Sequence, residues 1–150
     1  MKRISAVLYI FLMVAAFGCS KKLDSSPEVV ATKFPVPAWK VDDTGKYPAT
    51  MTAVVTVPAN LANNVVETDQ LAAFVNNECR GLGTIVTVDN SNLFFVLVQG
   101  LPEEANKITF RYFSKKTSYM YESVAALNFK VDAVFGTAEN PKTLELVQLK

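Results

Sequence analysis

The sequence predicts an all-β fold, an antiparallel β-sandwich of Ig-like or jelly-roll-like type with about seven to nine short strands. Two observations carry this. Apolar and polar residues alternate in short runs separated by turn residues, and after residue 19 no stretch keeps the 3.6-residue period of a helix.

The elements can be placed in order. Ala49–Pro58 (ATMTAVVTVP) reads as a strand with Met51, Ala53, Val55 and Val57 on one face. Asn60–Thr68 reads as a loop. Asn76-Asn77 separates two apolar runs, and asparagine tolerates the left-handed conformations of a two-residue type I′ turn. Such a hairpin pairs Val75 with Glu78, Phe74 with Cys79 and Ala73 with Arg80. It makes Cys79 a small core residue. Gly81 and Gly83 suggest a bulge or a close backbone approach. A turn is expected at Asn90–Asn92. Leu93–Val98 (LFFVLV) is apolar on both faces and so reads as a central strand buried on both sides. Lys107–Phe113 points Ile108, Phe110 and Tyr112 inward and Thr109, Arg111 and Phe113 outward. Ser118–Glu122, Ala125–Val131 (Leu127, Phe129 and Val131 inward) and Thr143–Leu149 are the remaining strands, and Asp132–Lys142 is irregular.

The first nineteen residues have a different character. Lys2 and Arg3 precede the apolar run Ile4–Phe17, which small Gly18 and then Cys19 follow. Basic, apolar and small regions in that order form a secretory signal. The run is too short to span about 30 Å of hydrocarbon comfortably. Residues 1–18 are therefore expected to be cleaved, 19–38 to form a tether broken by Pro27, Pro35 and Pro37, and 39–150 to form the β-domain. An uncleaved anchor and secretion without lipid are the alternatives. Ala16-Phe17-Gly18-Cys19 resembles the lipobox of bacterial lipoproteins. The resemblance implies that Cys19 is lipidated and becomes the first residue of the mature chain, with more than one acyl chain for stable anchoring. Ser20 after the cysteine leans towards the outer membrane, its periplasmic or surface face left open.

Composition excludes several chemistries. The chain has no histidine, which removes Ser-His-Asp and Cys-His catalysis and nearly all zinc and copper sites. Of two cysteines, Cys19 is assigned to lipid, so Cys79 has no partner for a disulfide within the chain. The net charge is +1 with the signal present, and no basic run occurs, which argues against nucleic-acid binding. No phosphate loop, nucleophile elbow or placed carboxylate pair is present. No enzyme, metal or cofactor is expected; an enzyme using carboxylates alone is the least favoured reading.

The polar and aromatic candidates are few. Arg80 could grip a carboxylate or sugar hydroxyls, or could pair with Glu78 or a strand carbonyl and hold the hairpin. Trp39, Tyr112, Tyr119 and Tyr121 could form an aromatic platform for a glycan or peptide, or could pack the domain and its edges. Asp42-Asp43 lacks calcium-loop spacing.

The stretch Leu71–Gly83 (LAAFVNNECRGLG), with Met51-Thr52 upstream and Phe135-Gly136-Thr137 and Pro141 downstream, resembles a β-rich module of secreted and cell-surface proteins of the Bacteroidota, with an "AFVxxECRG" core. The resemblance implies a non-catalytic extracytoplasmic domain without an established ligand. The expected function is a lipid-anchored binding or adhesion module at the cell envelope, its partner a glycan or a protein. The alternative is an assembly subunit that pairs through an exposed edge strand.

Overall fold

The structure is a computed structural model that describes residues 31–103 and 106–150. The signal segment, Cys19 and the first part of the tether lie outside the described residues, as do Glu104 and Ala105.

In chain order the elements are β1 (Ala49–Thr56), a short α1 (Ala59–Ala62), β2 (Gln70–Val75), β3 (Glu78–Val88), β4 (Ser91–Gly100), β5 (Lys107–Ser114) and β6 (Tyr119–Ser123). Four very short strands follow: β7 (Leu127–Asn128), β8 (Val134–Phe135), β9 (Lys142–Thr143) and β10 (Leu146–Gln148). The class is all-β, as the alternating pattern predicts. The strands join into one large curled sheet in the order β10-β6-β5-β2-β3-β4-β1-β8, rather than into two separate layers. The sheet is mixed, because β8 and β9 run parallel to β1.

Local turn chemistry sets the two central hairpins. Asn76 and Asn77 have φ of 48° and 65°, the double left-handed geometry of a type I′ turn. Val75 pairs with Glu78 and Phe74 with Cys79, as expected. The expected pairing of Ala73 with Arg80 does not form. A bulge shifts the register so that Ala73 meets Gly81, and Arg80 is the extra residue. The next turn is Asp89-Asn90, with φ of 47° and 62°, joining Val88 to Ser91. It lies one residue earlier than the expected Asn90–Asn92 because β4 already begins at Ser91.

β3 changes partner along its length. Its first half pairs with β2 as far as Leu82, and its second half, from Gly83 to Val88, pairs with β4. The sheet therefore folds over, and both halves feed one core. Met51, Ala53 and Val55 of β1, Phe94, Val96 and Val98 of β4, Leu71, Ala73 and Val75 of β2, and Ile108, Phe110 and Tyr112 of β5 share a single cluster. A single segment links the two ends of the sheet. Lys142 and Thr143 pair with Val55 and Thr56 of β1, and the Leu144 N–H bonds the Thr56 carbonyl. Leu146–Gln148 then pairs with Tyr121–Ser123 of β6. The expected continuous last strand is thus split between two neighbours.

Three expectations about faces are corrected. Only the start of β4 is buried on both sides: Phe94 and Leu93, on opposite faces, are 0% and 2% exposed, but Leu97 is 55% exposed, because nothing among the described residues packs over it. Phe113, expected outward, is fully buried. The chain before β1 covers the outer face there: the Phe34 N–H bonds the Ser118 carbonyl, and Trp39 packs on Phe74. Ala125–Val131 forms only the two-residue β7, and Val131 is exposed. Phe129 remains buried, its ring lying against Gly100, where a Cβ would come within 2.6 Å of it.

The alternation along β4 gives a direct test. Phe94→Ala is expected to lower unfolding free energy by about 3–5 kcal/mol. Leu97→Ala, three residues away on the other face, should change it by less than about 0.5 kcal/mol. Urea unfolding of the two variants reads both.

Candidate functional site

The hairpin bulge aims Arg80 at the end of the sheet, where Lys46 and Tyr47 approach from the loop before β1. Arg80 is buried, 4% exposed. Its guanidinium carbon lies 3.3 Å from the centre of the Tyr47 ring. Its Nε is 3.5 Å from Glu78 Oε2, and its Nη1 donates to the Gln99 carbonyl at 3.4 Å. Glu78 is the hub: the Tyr47 hydroxyl donates to Oε2 at 2.6 Å, and Lys46 Nζ donates to Oε1 at 3.2 Å. The Tyr47 hydrogen bond first, then Lys46 and Arg80, holds the Glu78 carboxyl below the usual carboxylate range. Arg80 thus meets Glu78 and a strand carbonyl together, with its flat face closed by Tyr47. Tyr47 and Lys46 were not evident from the sequence, since nothing local links them to residues some thirty positions later.

The four aromatic candidates do not share a face. Tyr112 points into the core, its ring 5.9 Å from Phe94 and 5.9 Å from Tyr121. Its hydroxyl donates to Asp69 Oδ2. The Asp69 carboxylate also accepts the Lys115 N–H at 2.7 Å and the Val66 N–H at 3.1 Å, so this buried acid ties together the start of β2, β5 and the loop after β5. Asp69 carries no sequence signal beyond an acid ahead of an apolar run. Tyr121 lies partly buried on the same inner side, opposite Tyr112, and Tyr119 sits two residues along the same strand. Trp39 is on the opposite face, its ring edge-on to Phe74 at 5.5 Å. It caps the small cluster of Ala72, Phe74 and Cys79. Cys79 is a buried free thiol whose pKa burial pushes up. Arg111 lies over the Phe74 ring and bonds Glu122 Oε1 at 3.0 Å.

Among the described residues no group of three or more Cys, Asp or Glu is placed to hold a metal. The Asp42 carboxylate is taken by Thr44, whose hydroxyl and N–H both donate to it. A cavity of about 320 Å³ opens where the linking segment crosses, lined by Phe110, Ser123, Leu127, Phe135 and Leu144 among others.

The outer face of β1, β4 and the second half of β3 presents several exposed apolar residues to solvent. Thr52 pairs with Leu97 on one side and with Val134 on the other, and Leu82 continues the same row beyond Leu97. Leu82, Leu97 and Val134 are 45%, 55% and 63% exposed. The outward positions of these three strands carry no charged residue. Compared with protein-family models, with curated proteins and with solved structures, the chain matches none.

Arg80→Ala is expected to destabilise the fold by about 2–3 kcal/mol through loss of the ring contact, the ion pair with Glu78 and the hydrogen bond to the Gln99 carbonyl. Arg80→Lys should recover less than half, because an ammonium cannot lie flat on a ring while donating in a fork. Thermal unfolding reads this; unchanged stability in Arg80→Ala would contradict a structural role.

Burial and the Asp69 carboxylate push the Tyr112 hydroxyl well above its ordinary value of 10.0. The folded state therefore keeps a proton that the unfolded chain gives up. Stability is fully present below about pH 10 and falls as pH rises beyond it. Tyr112→Phe should flatten this alkaline loss, leaving the smaller share of Tyr121, whose hydroxyl burial also raises. Melting temperatures between pH 9 and 11 check the difference.

Proposed function

We propose that this chain is a lipid-anchored protein of the cell envelope, held in the outer membrane through Cys19, whose β-domain is a non-catalytic binding module for another protein. The observation that carries the choice of partner is the uncharged outer row of Leu82, Leu97 and Val134. Interface cores are depleted in charge, and exposed apolar residues clustered on one face, here with only Thr52 between Leu97 and Val134, mark interaction surfaces. A glycan platform would instead present aromatic rings and polar groups together. Here Tyr112 is inside, Trp39 is on another face, and Arg80 and Glu78 are engaged with each other. Among the described residues no helix is long and apolar enough to cross a membrane, so membrane attachment in this reading rests on the signal and Cys19.

A second reading, an assembly subunit, is favoured by a separate observation. The second half of β3 is hydrogen-bonded on one side alone among the described residues. Open strand edges are templates for pairing.

In intact cells, Cys19→Ser should move the chain from the membrane pellet to the soluble fraction. A photo-crosslinking residue at Leu97 should give one discrete protein adduct, at least tenfold stronger than the same residue at exposed Lys130. No adduct at Leu97, with polysaccharide binding by the wild-type chain, would replace the protein partner with a glycan.

A further inference from the structure

We propose that Thr84–Val88 of β3 pairs antiparallel with the same segment of a second copy, about a two-fold axis through Val86. The inference rests on the assembly reading above and names its partner.

The edge is real and unprotected. β2 is paired with β3 as far as Leu82 and its Leu71 still lies against Gly83, whereas Thr84–Val88 has β4 on one side and no strand on the other. Among the described residues no backbone hydrogen bond reaches the free side of these five residues. Thr84, Val86 and Thr87 are exposed. Natural edges are blunted by lysine, proline, a bulge or an inward charge. The sequence Thr-Ile-Val-Thr-Val has none of these, and every residue is β-branched. Such residues have the highest preference for a pleated, paired strand.

Charge selects a second copy as the occupant. In a two-fold interface each residue meets itself or its symmetric mate. A lysine or glutamate near the axis would face its own like charge, and like charges directly opposite are destabilising. This segment is free of charge along its whole length, so self-pairing costs no repulsion. Just beyond the ends of the pairing Asp89 falls opposite Gly83, again with no like charge.

The face pattern fixes the register. Residues directly opposite in an antiparallel pair share a face, and a one-residue slip exchanges the faces. Ile85 packs towards the core, while Thr84 and Val86 point outward. An axis through Val86 pairs Thr84 with Val88 and Ile85 with Thr87, keeping outward residues with outward residues. An axis between two residues would set Ile85 against Val86 and mix the faces. Because a two-fold contact consumes both edges at once, it closes at two copies instead of propagating.

The test uses the full-length chain in its own envelope and then in detergent. Val86→Cys places two thiols across the axis within the Cα separation a disulfide spans, about 4.4–6.8 Å. Mild oxidation should give a disulfide-linked homodimer at least tenfold more abundant than exposed Lys107→Cys gives. Val86→Lys should leave the chain monomeric by light scattering with unchanged far-ultraviolet circular dichroism. Dimer formation by Val86→Cys no greater than by the Lys107 control overturns the proposal. So does a Val86→Lys chain that stays dimeric. An adduct of Val86→Cys to a protein of different mass overturns self-pairing and leaves the assembly reading standing; absence of any adduct overturns both.

Discussion

The whole architecture depends on β3 changing partner at Gly81-Leu82-Gly83. At this point one strand leaves β2 and joins β4, and both neighbours come unusually close. A Cβ at Gly81 would lie 2.5 Å from the Leu97 carbonyl oxygen, and one at Gly83 would lie 3.0 Å from the Leu71 carbonyl oxygen. Real side chains are not found at the first distance, so a residue larger than glycine there would push β4 away. With the two strands in place, the sheet folds over and its halves face each other. Phe94 then meets Tyr112 edge-on across the core, although the two residues lie in different halves of the sheet. The same fold-over leaves the sheet with two ends, which Lys142–Leu149 links by pairing first with β1 and then with β6.

The polar residues follow from this geometry. The bulge beside Gly81 makes Arg80 the extra residue of the hairpin, and its side chain turns to the end of the sheet. A guanidinium buried there needs partners, since an uncompensated buried charge is costly. Glu78, Tyr47 and the Gln99 carbonyl supply them. Asp69 plays the corresponding part at the other end of β2, where its carboxylate gathers a hydroxyl and two backbone N–H groups. Both acids therefore spend their hydrogen-bonding capacity on holding loops to the sheet.

What the sequence made legible was local. The left-handed tolerance of Asn76-Asn77 predicts its turn and two of three pairings, and period-two alternation places Met51, Ala53, Ile108, Phe110 and Tyr112 in the core. The failures are non-local. Phe113 reads as outward because alternation cannot see that the chain near Phe34 and Trp39 returns to cover that face. Leu97 reads as buried because an apolar residue on an uncovered face looks the same as one on a covered face. β8 and β9 escape notice because two-residue parallel pairings with β1 depend on strands some eighty positions away. For the candidate site, Glu78 with Arg80 is an i, i+2 relation that the sequence displays, whereas Tyr47 and Asp69 enter through tertiary contacts alone.

The two surfaces left to solvent are geometrically independent. The row of Leu82, Leu97 and Val134 lies on the face of the sheet, and Thr84–Val88 lies along an edge. An axis through Val86 that keeps outward residues with outward residues stands perpendicular to the sheet. Both copies then turn their uncharged rows to the same side, and the sheet runs without interruption from β1 of one copy through β4 and β3 to the other. Edge pairing would therefore not compete with a partner on the face; it would double the surface offered and place both rows in one direction. In the proposed lipid-anchored setting that arrangement has a consequence in affinity. A partner with two matching sites would bind the second at an effective concentration set by the dimer, not by free diffusion.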